Sequence, residues 1–591
     1  MKNFLKLSVI AASATLLVAC GGSTSSVPNT STSQLTGLAA VGSPISSGVL
    51  SALDVSGRTA STTIADDGTY SIDFLSTLQR PVLLKAEGVS GGRTAVHFGV
   101  ITGTTGLTVN VTPVSTAVVA QVMQSDPGVV FSAADTSKIA LLTSEQVSAT
   151  NTIIGNALSE GRNAAGISNS VAIDFLNTPF YANKTGFDKL LDLVKISIQP
   201  DRSVHIKNKT ADGVAVVSLS GNFTGNLGVV ASIDTAGIDL LGKDLENAFR
   251  GGWQVNSQSV LDLFSNEFLQ EGVGKNTIIQ WISEDANDML GARFLPAKIL
   301  NCSIVNSLPI CEVLFTVKYA DGAFEPFIFP VRQESGFWKI YGDQSPVYTA
   351  YSPVVYRTVQ DGSAVTTRSG FNIQIPDDAA IGDDDIGYVK AWFGTDTSIP
   401  PEYVFVNPSI VLESCTGLPN GGFLQILTNP SNIDSCAGNF AELTDGRIDQ
   451  LRSSFSTLRP KITVRYYDAS GNWIANGQHV INVESLPLKP SEVPDGYFAT
   501  VTAASWNEFA ATNLKTPFTL AVTKGASVGL EDVIGAGPLT LNPEEDVAQR
   551  LPFSTVRTGS SWRVLKSNNS LITVTRDADG RMYWYQRQEL N

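Results

Sequence analysis

Histidine is nearly absent from this chain: His97, His205 and His479 are the whole supply among 591 residues. Each sits in an alternating, strand-like stretch, and the three lie in different parts of the chain. A Ser-His-Asp triad or a histidine-rich metal site would have to be assembled from isolated residues, so structural or surface roles are expected for all three. The sequence also lacks a P-loop, an HExxH helix and any CxxC pair. Gly535-Ala536-Gly537 is followed by Thr540 where a dinucleotide-binding loop needs its third glycine. No cofactor is therefore expected. Basic residues are few, with 40 Lys and Arg against 55 Asp and Glu and a net charge of −15, which disfavours nucleic acid and anionic surfaces as partners. Long apolar runs are missing as well. The run from Leu7 to Val18 falls short of the ~20 residues that span a bilayer, and no other stretch approaches a span.

That short run is informative for another reason. Lys2 and Lys6 precede it and small residues close it, the layout of a secretory signal peptide over residues 1–19. Leu17-Val18-Ala19-Cys20 resembles the lipobox of bacterial lipoproteins. The resemblance implies cleavage before Cys20, acylation of that cysteine, and a mature charge of −17 once Lys2 and Lys6 are gone. Gly21 stands where an aspartate would signal inner-membrane retention, which implies sorting to the outer membrane, facing periplasm or cell surface. With no basic patch, the lipid is the expected link to the membrane. The remaining cysteines fall as two close pairs, Cys302 with Cys311 and Cys415 with Cys436. In an exported protein each pair reads as a disulfide closing a short turn-rich loop. Zinc is the rival reading, but neither pair has CxxC spacing or a nearby histidine.

A chain of this length exceeds one core, and three to five domains are expected. Residues 20–36, rich in Ser, Thr and Gly, form a lipidated flexible tether. Short apolar segments parted by turns mark residues 37–112 as a β-sandwich, with Asp66-Asp67-Gly68 turning into the alternating Thr69-Tyr70-Ser71-Ile72-Asp73-Phe74. This segment resembles the carboxypeptidase-regulatory or transthyretin-like sandwich, which implies a spacer without catalysis. Helical signals mark residues 113–200: Thr112-Pro113, Thr143 with Gln146, and Thr185 with Asp188 each open a helix. Residues 201–350 read as α+β. Strands run over Ser203–Leu219; one helix carries Val260, Leu261, Phe264 and Phe268, and another carries Ile278, Ile279, Ile282 and Met289. Strands then follow at Val313–Tyr319, Phe327–Val331 and Phe337–Gln344. Over roughly 240–350 this order, closed by Gly336-Phe337-Trp338-Lys339-Ile340, resembles the NTF2-like fold and implies a conical pocket used by enzymes or by binding modules. Residues 351–490 and 491–591 read as β domains parted by Pro487, Pro490 and Pro494. The expected fold class is multidomain and mainly β: a β-sandwich, a helical insert, an α+β unit and C-terminal antiparallel β-sandwich-like domains.

Few residues are candidates for chemistry. Gly88-Val89-Ser90-Gly91-Gly92 matches the hydrolase GxSxG pattern, but the strand-like residues after it make a hairpin turn the better reading. Asp383, Asp384 and Asp385, near Asp377 and Asp378, could offer oxygens to calcium, yet they lack EF-hand spacing and a solvated loop is the default. Asp66, Asp67, Asp577 and Asp579 read as turn residues. Tyr583-Trp584-Tyr585 is better explained by core packing than as a sugar platform. Asp343, at the end of the last strand of the NTF2-like segment, is the candidate for a general base, without a histidine to assist it. The expected function is therefore a non-catalytic binding or scaffold lipoprotein with a protein or glycan partner in the envelope. The alternative is an envelope enzyme, hydrolase- or isomerase-like, with its pocket in the NTF2-like segment. An open cavity with a buried polar residue there favours the enzyme; a filled core favours the scaffold.

Overall fold

A computed structural model of the protein describes residues 35–73, 77–103, 108–218, 220–319, 324–360, 366–381, 384–407, 423–427, 436–456, 458–501, 518–536, 550–551, 556–559, 570–577 and 579–588. The molecule is multidomain and mainly β, with several antiparallel sheets and few helices. Near the N-terminus, strands Thr59–Ile64, Ser46–Asp54, Val82–Ser90 and Arg93–Ile101 form a four-stranded sheet in that spatial order. A two-stranded sheet of Leu35–Leu38 and Thr69–Ile72 accompanies it. Alternation along Ser46–Asp54 turns Leu50 and Ala52 into the core, as period two requires. Ser90 sits at a tight hairpin turn, not on a strand-to-helix elbow. Gly92 has φ +69°, and a β-carbon there would fall 2.7 Å from the Thr316 hydroxyl, so glycine is what lets this turn seat on the α+β unit.

Helices begin at Thr112 and Thr143 for the expected reason. The Thr112 hydroxyl accepts from the Ser115 N–H and the Ser115 side chain reciprocates, and the Thr143 hydroxyl accepts from the Gln146 N–H. The third start differs. Thr185 makes no side-chain cap on Gly186–Leu193; Asp188 instead accepts the backbone N–H of Lys184, whose φ is +63°. After this helix the chain forms a four-stranded antiparallel sheet from Val194–Ile198 to Phe223–Asn226.

In the α+β unit, helix Thr235–Arg250 and helix Lys275–Asp285 pack on a five-stranded antiparallel sheet made of Arg293–Phe294, Lys298–Val305, Leu308–Lys318, Phe324–Glu334 and Phe337–Ile340. The helix expected through Phe268 stops early. Only Gln258–Leu261 is helical, and Phe264 instead bridges to Ile340, because its backbone is used to close the sheet edge. The last strand likewise ends at Ile340, so Asp343 lies in the following loop. Cys302 and Cys311 are direct cross-strand partners, both buried, and are joined in a disulfide with Cα atoms 4.0 Å apart. Mass mapping of the native protein is expected to find this bond complete, and a free thiol at either position would contradict it. A loop this short is worth about 3 kcal/mol in chain-entropy terms. Cys415 and the Cys436 side chain lie outside the described residues, as does Cys20.

The C-terminal part is knit together across long sequence distances. A seven-stranded sheet places Ala350–Gln360 beside Met582–Gln588 in parallel register, Val355 opposite Tyr583. Residue 490 is therefore no boundary between sheets. The proline-rich stretch packs Leu488 and Val493 against Val355, Phe498 and Tyr583. A second, six-stranded sheet holds Tyr388–Phe393 between Tyr403–Val406 and Lys461–Tyr467. Polar contacts bind this half to the first: Lys524 reaches Glu87 at 2.6 Å, Asp126 accepts from Tyr497 at 2.8 Å and from Ser527 at 2.6 Å, and Lys195 donates to the Asp579 carbonyl at 2.8 Å.

Candidate functional site

The α+β unit is not filled. A cavity of about 1380 Å³ opens in it, above the ~300–1,000 Å³ of a drug-sized site. Strand register sorts its walls into two faces. Phe329 lies opposite Val313 and Phe327 opposite Phe315, on the face that meets helix Thr235–Arg250. Pro330 lies opposite Glu312 and Ile328 opposite Leu314, on the other face. The first wall is aromatic: Phe249 stacks on Trp253 with centroids 4.5 Å apart, and Phe264 meets Phe268 edge-on at 5.4 Å. Trp253 is fixed by its indole N–H, which donates to the Ile279 carbonyl at 3.0 Å.

The second wall is polar and is assembled from three distant segments. The N-terminal hairpin brings Arg93, the central sheet brings Glu312, and the C-terminal half brings Tyr351, Asn482 and Glu484. Arg93 pairs with Glu484 at 2.9 Å. Burial works against the Glu484 charge, but Arg93 and Lys195 outweigh it and hold the carboxyl well below its usual range. Glu312 accepts from the Asn301 amide, and burial pushes its carboxyl up to about 7. Burial also lowers His479, another lining residue, to about 4, so it is neutral at neutral pH.

Asp343 does line this cavity, and burial raises it to about 6. Both of its oxygens are committed, however. One accepts the backbone N–H groups of Glu271 at 3.0 Å and Ser345 at 2.9 Å; the other accepts the Gln270 amide at 3.2 Å. The residue therefore acts as a loop staple. Neighbouring Glu271 is also raised by burial. Among the other sequence candidates, Asp384 and Asp385 are exposed on a two-residue strand paired with Ala380–Ile381, while Asp383 lies outside the described residues. Ser90 bonds to Ser43 at 2.7 Å, far from any histidine partner in the hydrogen-bond pattern. His97 is buried beside Thr116, and burial lowers its pKa to about 3. Asp577 turns the chain as expected, but it also accepts from Arg581 and from the buried Tyr583 hydroxyl at 2.7 Å. Sequence reading missed Glu312. Its signal was available, a lone carboxylate within Ile310-Cys311-Glu312-Val313-Leu314-Phe315.

No known family and no curated protein matches the chain. Among solved structures, a tetra-tandem repeat from the extending region of a large adhesion protein is 8% identical over 94% of this chain and 99% of its own, with a TM-score of 0.10. The human desmocollin-1 ectodomain is 8% identical over 48% of this chain and 47% of its own, also at 0.10. The protocadherin γB4 extracellular domain is 10% identical over 48% and 39%, at 0.09. At these scores the likenesses carry no argument about fold or function.

Proposed function

We propose that this is a lipid-anchored protein of the bacterial cell envelope whose α+β unit binds an apolar small molecule without turning it over. The open, aromatic-walled cavity carries the binding part of this reading; it meets the criterion set above for an enzyme as well, so the absence of turnover rests on how the carboxyls are engaged. Two of its carboxyls support binding over turnover: Asp343 is bonded to backbone N–H groups and an amide, and Glu312 to an amide, rather than to a nucleophile. The anchoring half rests on the resemblance of Leu17–Cys20 to a lipobox and on a C-terminal remainder with no basic patch. Cys20→Ser is expected to shift the protein from the membrane pellet to the soluble exported fraction, and continued pelleting would contradict the anchor. For the cavity, titration with a neutral apolar fluorophore such as N-phenylnaphthylamine is expected to saturate at one probe per chain. Failure of the probe to bind at all would remove the binding reading.

A second reading, turnover of the bound molecule, is favoured by one specific observation: the cavity is open and holds two carboxyls, Asp343 and Glu312, poised near neutrality. Asp343→Asn separates the two. The amide oxygen still accepts the Glu271 and Ser345 N–H groups, so folding and probe binding are expected to persist with a loss of about 1 kcal/mol from the Gln270 contact. A folded Asp343→Asn protein that binds the probe normally yet fails to complement a deletion strain would favour turnover, for which loss of a general base costs about 100-fold or more.

A further inference from the structure

At one end of the five-stranded sheet of the α+β unit, two tight hairpin turns lie side by side. Val305 pairs with Leu308 across the first turn, and Glu334 pairs with Phe337 across the second. Ile310 stands opposite Arg332, so two residues further along Leu308 comes level with Glu334. Val305, Leu308, Glu334 and Phe337 therefore form one row across four strands, on one face of the sheet. Asn306 and Ser307, at φ +50° and +64°, and Ser335 and Gly336, at +51° and +86°, close the turns in two residues each. The Cys302–Cys311 bond ties the first hairpin three residues behind its tip.

This row is apolar and faces solvent. Phe337 is 69% exposed, Val305 47% and Leu308 38%, and Ile304, on the other face of the same tip, is 48% exposed. Ser303 through Ile310 includes no charged residue, in a chain of net charge −15. Glu334, the charged member of the row, is taken up by Arg332 at 2.8 Å and by the Ser265 hydroxyl at 2.6 Å. Apolar side chains grouped at an exposed tip mark an interaction surface. Protein interfaces are anchored by Tyr, Trp and Arg, whereas this tip offers aliphatic groups and one Phe. The layout of the chain favours a bilayer. On the anchoring reading, only residues 21–34 separate acylated Cys20 from strand Leu35–Leu38, and fully extended they span about 50 Å. The body is thus held close to a lipid surface, which this tip meets without bringing in an unpaired charge.

We propose that the paired hairpin tip docks on the lipid surface to which Cys20 ties the chain, with Val305, Leu308 and Phe337 entering the interface. This rests on the anchoring reading above. The row is small, and even a myristoyl chain alone gives only marginal membrane binding, so the acyl anchor holds the protein and the tip sets its orientation. Ser303, Val305 and Ile310 also line the cavity, so docking brings the cavity to the bilayer surface.

The test places the acylated full-length chain in phosphatidylcholine vesicles that contain nitroxide-bearing lipid. A nitrobenzoxadiazole label at Ser307→Cys is compared with one at Glu145→Cys, an exposed position on helix Ser144–Ala157. The label at the tip is expected to be quenched at least about threefold more strongly, because docked apolar groups sit within the headgroup–acyl boundary. Leu308→Asp with Phe337→Asp is expected to abolish that difference; both side chains are exposed, and circular dichroism checks that the fold persists. Equal quenching at the two positions overturns the docking face. A dimer of the Cys20→Ser chain in sedimentation, dissolved by the same two substitutions, overturns it as well by making a second copy the occupant. If mass spectrometry finds Cys20 unacylated, the anchoring reading falls first. The tip is then read on that unacylated chain with the same vesicles, where an unquenched label overturns docking too.

Discussion

Lys184→Met is expected to destabilise the protein by about 3–5 kcal/mol, because it removes the cation from a fully buried ionic junction. The Lys184 ammonium donates to the Ala297 carbonyl at 2.6 Å, to Asp192 at 3.1 Å and to the Gly42 carbonyl. It thus ties the N-terminal sandwich, the helical segment and the α+β unit at one atom. Burial opposes its charge, but Asp192, Asp239 and Asp188 together outweigh that penalty and raise its pKa. Methionine has a similar reach and faces the same backbone cost at φ +63°, so the loss reports the ammonium's charge together with the hydrogen bonds it donates to Ala297 and Gly42. Three carboxyls would remain in a dry site with less compensation. Denaturant unfolding checks this, and a loss below about 1 kcal/mol would show that the charge contributes little.

Glu312→Gln is expected to stabilise the protein in a pH-dependent way. Burial raises the Glu312 pKa from 4.5 to about 7 in the folded state, so the fold holds this proton more tightly than the unfolded chain does. Its unfavourable contribution is absent below pH 4.5, grows between 4.5 and 7, and is complete above 7. The variant and the native protein should therefore have equal stability at pH 4. At pH 8 the variant should be more stable by about 1–3 kcal/mol. Urea midpoints at the two pH values measure the difference. A variant less stable at pH 8 than the native chain would contradict it, showing that the ionised carboxylate is stabilised in place.

Local chemistry was legible in the sequence, and distant pairing was not. Thr112-Pro113, Asp66-Asp67-Gly68 and the Ser90–Arg93 turn act where they stand, because caps and turns use atoms within four residues. The Cys302–Cys311 bond was legible for the same reason, since a hairpin brings the two together. By contrast, the parallel pairing of Val355 with Tyr583 joins strands from the two ends of the C-terminal half, and no local pattern encodes it. Phe264 and Phe268 carried helical spacing yet fill the aromatic wall from a loop, because the sheet edge at Ile340 claims the Phe264 backbone. The candidate site divides in the same way. Asp343 was found because it follows a recognisable strand. Arg93, Glu312 and Glu484 come from three segments, and only the folded chain gathers them.

Native mass spectrometry of the protein purified from its native cells, without exposure to competing amphiphiles, tests the central claim most directly. The expected result is one non-covalent adduct of small mass per chain, lost in Leu245→Trp, which places a bulky ring in the aromatic wall. A bare chain from those cells, together with a Leu245→Trp protein that behaves identically to the native one in fluorophore uptake, would contradict a ligand-binding role for this cavity.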